Sequence, residues 1–237
     1  MKHPFRAYFL PLFPIAAGII GLLLRLWLFS AIDEKGLLPA NHFADSALYI
    51  LAAITLGVLF PASRKLSPPP VRKSVARLLA VLGCLFGGIG MLFAGLCQQS
   101  ARFSVISAIA CLAGGLILLA MAVLKFFRKE ISYGFPAALT AAFMLDAIAQ
   151  CRSWGSVSQL QEYFFPLMAS VFLILSVYHL TLHAAGSGNP KLHVFFSQSA
   201  IFFCCTCLNT NHWFLYLGLL FWVAAPLYSK LSNKKEA

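Results

Sequence analysis

Charge is what this sequence has least of. Only 11% of its 237 residues are Asp, Glu, Lys or Arg, and just seven are acidic, where a soluble domain carries roughly a quarter. A chain so poor in charge cannot cover a water-facing surface, which excludes a soluble globular protein. Also missing are a Walker loop, a Gly-rich dinucleotide turn and a nucleophile motif, so nothing here names a phosphate-binding or hydrolytic reaction. Gly87-Gly-Ile-Gly90 lies inside an apolar run and reads as a packing seam. No gap between apolar runs is long enough to fold as a soluble domain.

What the chain has instead is hydrophobic length. Apolar residues make up 60% of it, with 22 Phe. A helix crosses the roughly 30 Å hydrocarbon layer with about 20 residues, and about 17 is the lower limit. Eight segments meet that limit: 9–32, 43–60, 77–97, 104–127, 135–151, 162–183, 192–208 and 212–228. They predict an all-α integral membrane protein, a single helical domain over 1–237 built as a polytopic bundle of about eight transmembrane helices. The segments at 135–151 and 192–208 are the shortest and contain polar atoms. Folding the last two segments into a re-entrant hairpin is the alternative, and it leaves six full spans. The first segment contains Arg25 and lacks a small-x-small cleavage site, so it reads as a retained helix rather than a signal peptide.

Charge placement assigns the sides. With a cytoplasmic N-terminus, the inner loops and ends hold Lys2, Arg6, Arg64, Lys65, Arg72, Lys73, Arg77, Lys125, Arg128, Lys129, Lys191, Lys230, Lys234 and Lys235. The outer side holds only Lys35, Arg102 and Arg152, and every loop alternates as the positive-inside rule requires. Both termini are thus expected inside, in the cytoplasmic membrane. The net charge of +11 is mainly a topology signal. Dispersed over four loops and ends, it gives no basic patch for nucleic acid, while the Pro-rich basic loop at 64–77 suits anionic lipid.

Stripes of small residues indicate how the helices meet: Ala76, Ala80, Cys84 and Gly88; Ser107, Cys111 and Gly115; Ala138 and Ala142 leading to Asp146. Such stripes let backbones approach where lipid offers no hydrophobic drive between helices. No internal repeat of the kind many transporters show is visible.

Polar residues within the apolar segments mark where function would sit. Asp146 lies about five residues below the outer end of its segment, with Gln150 one turn above it on the same face. Arg25 lies about seven residues below the outer end of the first segment, where it can pair with Asp146 or snorkel to the headgroups. Five of the seven acids, Asp33, Glu34, Asp45, Asp146 and Glu162, fall on the outer side with His42, Arg102 and Arg152. A small polar solute or ion would bind near Arg25, Asp45, Asp146, Gln150 and Arg152.

Cysteine offers a second reading. Cys204-Cys205-Thr-Cys207 ends the seventh segment, and Cys204 and Cys207 have the C-x-x-C spacing that puts both sulfurs on one helix face. Cys97 and Cys151 end other segments on the same outer side and would be exchange partners in a thiol oxidoreductase. The same thiols also serve as small packing residues. His179 and His183, four apart, with His193 as a third, lack the Glu of a zincin motif and read as interfacial histidines, so no metal and no cofactor is expected. Three functions remain open: a small permease or solute-binding bundle, a membrane thiol oxidoreductase, and a non-catalytic subunit that packs against a membrane partner or a second copy of itself.

Overall fold

Every apolar segment forms a helix in the computed structural model, which describes residues 4–31, 42–65, 73–97, 104–129, 131–154, 161–209 and 213–229. The helices are α1 (Pro4–Ser30), α2 (Phe43–Lys65), α3 (Lys73–Cys97), α4 (Ser104–Phe126), α5 (Gly134–Trp154), α6 (Gln161–Ala184), α7 (Pro190–Thr206) and α8 (Trp213–Ser229). No strand occurs among the described residues. The protein is an all-α polytopic bundle whose lipid-facing surface carries large apolar side chains such as Leu23, Ile54, Phe93 and Leu116.

Local chemistry sets the helix ends. Gly186, at φ 86°, takes the left-handed conformation that closes α6. Asn189 then caps α7, its side chain accepting from the Lys191 N–H, with Pro190 in the first turn. Hydroxyls inside the helices are returned to the backbone one turn back: Thr55 donates to Leu51 O, Thr140 to Pro136 O and Thr206 to Phe202 O. Hydrocarbon offers no other partner, so this keeps the helices intact.

Six helices are long and apolar enough to cross a bilayer unaided, and α5 is among them. The doubt attached to segment 135–151 is removed, because the helix runs on to Trp154. That leaves α7 and α8, each of 17 residues and so about 25 Å long. Thr206 packs on Gly21 and Leu215 packs on Gly90, well before the ends of α1 and α3 at Ser30 and Cys97. At 1.5 Å per residue those contacts lie about 10 Å or more below the ends of α1 and α3.

The packed pairs close into a ring. α3 meets α4, α4 meets α5, α5 meets α6, α6 meets α7, α7 meets α8, and α8 returns to α3. α1 and α2 pack on each other and on α7 from outside the ring. Neighbours alternate in direction: Gly83 and Gly218 of the α3–α8 pair touch Trp222 and Gly87, and Gly88 and Gly95 of α3 touch Gly115 and Ala108 of α4. A Cβ on Gly83 or Gly218 would strike the facing backbone, so these glycines serve close approach. α7, touched by α1, α2, α6 and α8, is enclosed over most of its length, including Ser197, Gln198, Ser199, Cys204, Cys205 and Thr206.

Candidate functional site

The fold draws polar residues from five helices together at the end opposite the basic one. Asp146 of α5 is only 8% exposed. Its Oδ1 accepts from the Ser107 hydroxyl of α4, and its Oδ2 accepts from Gln150 Nε2 at 2.7 Å. The Gln150 bond follows from helical spacing, since residues four apart share a face. The Ser107 bond is a tertiary choice, made where α4 and α5 run side by side. The Cys111 thiol, one turn from Ser107, lies against both.

Arg25 of α1 is 3% exposed. Its Nη1 donates to Cys207 Sγ at 3.3 Å, and its guanidinium carbon stands 5.3 Å from the centroid of the Phe29 ring. It therefore points into the bundle rather than to the headgroups. The glycine seam explains how: Gly18 and Gly21 let α1 press against Cys205 and Thr206, which brings the next turn of α1 level with the end of α7. Tyr216 of α8 is buried, with Cys204, Cys207, Arg25 and Asp146 in its electrostatic neighbourhood. Asp146 and Arg25 are thus two buried ionisable residues on different helices.

The remaining expected residues are distributed. Asp45 is half-buried in the first turn of α2, beside His42, whose Nδ1 accepts from the Ala44 N–H at 3.2 Å. α2 packs chiefly on α1 and α7, whereas Asp146 is held at the contact of α4 and α5. Arg152, Cys97 and Cys151 are exposed near the ends of α5 and α3. Cys204 and Cys207 are fully buried, and none of the seven cysteines forms a disulfide. His179 stacks on Phe196, ring centroids 5.0 Å apart, and His193 reaches toward Ser197. No cluster of metal-ligating side chains occurs among the described residues. Asp33, Glu34, Lys35, Arg102, His212 and the 66–72 part of the basic loop lie outside the described residues.

Sequence reading missed Ser107, Cys111 and Tyr216 as parts of a site. Ser107 and Cys111 stood in plain view, but within a stripe of small residues whose ordinary meaning is packing. Tyr216 sits in an apolar run with no polar neighbour to single it out. No family of known proteins, no characterised protein and no solved structure matches this chain.

Proposed function

We propose that this multi-pass membrane protein is a small permease of the cytoplasmic membrane, with both termini in the cytoplasm. In this reading a small polar solute or ion enters from the outer side, Asp146 carries a cation or proton, and Arg25 couples that charge to the solute. The observation that carries it is the burial of Asp146 and Arg25, 8% and 3% exposed, each on its own helix. Ionisable groups inside a membrane cost about 3 kcal/mol each even by lenient scales and are retained chiefly for ion or substrate pathways. Enclosed as they are, the two charges describe an occluded form, which must open outward through the side where Gln150 and Arg152 lie.

The test uses purified protein in liposomes with an entrapped pH dye and an imposed inside-negative potential. Wild type should acidify the interior faster than empty liposomes. Asp146→Asn should abolish that flux while eluting as a single species at normal yield. Undiminished flux in Asp146→Asn overturns the reading.

A thiol oxidoreductase at Cys204 and Cys207 has one observation in its favour, the Arg25 guanidinium on Cys207 Sγ, since a cation beside sulfur favours thiolate chemistry. It requires a reducible bond between two thiols that are both enclosed. Maleimide labelling of the denatured protein before and after reduction decides it: thiols reactive without reduction end this reading.

A further inference from the structure

The half of the ring toward the basic end holds polar groups that the site around Asp146 does not use. His193 and Ser197, and further on Cys204 and the capping Cys207, fall at helical spacing, so one side of α7 carries polar groups toward both of its ends. His193 lies at the basic rim, two residues from the exposed Lys191. Ser197 Oγ lies 3.5 Å from His193 Nδ1 and 2.7 Å from Ser176 Oγ of α6. At the same depth, Gln198 is 0% exposed, and neither its amide oxygen nor its amide nitrogen has a hydrogen-bond partner among the described residues.

That amide is the decisive feature. An unmet buried donor or acceptor costs about 1–3 kcal/mol, and native proteins meet such groups with ordered water where side chains do not. Between this polar level and Cys204 the buried residues include Ala200 on α7 and Leu173 and Ala169 on α6, while the hydroxyls of Ser199 and Ser170 are turned back to their own helices, on Phe195 O and Pro166 O. The ring thus has two polar levels with an apolar belt between them. The other titratable groups near the lower level are His179, stacked on Phe196, Lys191, and Arg64 of α2, which covers Phe60 where that ring meets Phe195.

We infer that His193, Ser197, Ser176 and the water held at Gln198 form a proton-exchange path between the cytoplasm and Asp146. The inference rests on the proposed role of Asp146. A proton leaving its carboxylic acid passes to water as the belt opens. Water gives a proton to the Ser197 oxygen, whose own hydroxyl proton goes to one nitrogen of His193. The imidazolium then swings toward the basic rim, gives that same proton to cytoplasmic water and swings back. Each carrier ends as it began, and one proton has moved inward.

Proton flux into dye-loaded liposomes tests this with His193→Ala, Gln198→Leu and Asp146→Asn side by side. His193→Ala should lower the flux at least about ten-fold, in line with the usual contribution of a positioned proton carrier, and added imidazole should restore it. Gln198→Leu should also lower it while melting close to wild type. Where His193→Ala does not fold, Ser197→Ala takes its place and should lower the flux likewise. Flux that needs Asp146 but survives both His193→Ala and Gln198→Leu overturns the path and leaves the permease standing. Loss in His193→Ala that imidazole does not restore marks a packing role and overturns the path as well. Wild-type flux equal to that of empty liposomes, or full flux in Asp146→Asn, overturns the permease reading and the path with it.

Discussion

α7 and α8 are the same length and follow one another in a hairpin, yet they solve opposite problems. α8 is apolar almost throughout, and it is pressed against α3 until backbones touch, Gly218 against Gly87 and Trp222 against Gly83. Lipid tails are as apolar as its side chains, so only close van der Waals contact and shape hold it there. α7 is the polar one, with His193, Ser197, Gln198, Ser199 and Thr206 all buried. It is shielded from lipid by α1, α2, α6 and α8. An apolar helix is placed by what it fits, and a polar helix is placed by what it must be hidden from.

The largest effect that would sharpen this contrast is on α8. In Gly218→Val the new Cβ falls into the backbone around Gly87, so the pair must separate, at a cost of about 3 kcal/mol or more. The expected result is loss of monodisperse protein on size-exclusion chromatography. Gly57→Val on α2, where nothing lies within 4 Å, should change stability by less than about 0.5 kcal/mol. Equal tolerance of the two substitutions would break the picture of a glycine seam.

Next in size is Asp146→Asn, which should leave folding intact because Asn keeps an oxygen for Ser107, while proton flux falls at least about ten-fold. Gln198→Leu should leave the denaturation midpoint within about 1 kcal/mol of wild type, because the substitution removes the buried amide together with the water it holds. A clearly lower midpoint would show that the amide bonds to protein rather than to water. The smallest effect concerns the Ser176–Ser197 hydrogen bond. A double-mutant cycle to Ala should give a coupling of about 0.6 kcal/mol, the average for such bonds between membrane helices. A coupling near zero would place the two hydroxyls in contact without mutual stabilisation.

Much of this protein was legible before folding. Charge scarcity and segment length sufficed for the class and for the positions of eight helices, because the bilayer imposes one thickness on every span. Asp146 with Gln150 was legible too, since residues four apart must share a helix face. Arg25 was legible as an anomaly but not in its direction, because snorkelling outward and turning inward fit the same position in a helix. Ser107 and Tyr216 were hidden for a related reason. Helical periodicity says which residues share a face and is silent on which face meets which neighbour.

The sequence by itself therefore determined a polytopic helical membrane protein with a few costly polar groups, because hydrophobic length and charge are local properties that the bilayer reads directly. Only the tertiary structure decided that α7 is wrapped by four helices, that Arg25 turns to Cys207, and that Ser107 closes on Asp146. Those outcomes depend on small residues such as Gly18 and Gly21 letting particular backbones meet. Close packing is a property of pairs of surfaces, and no single segment contains it.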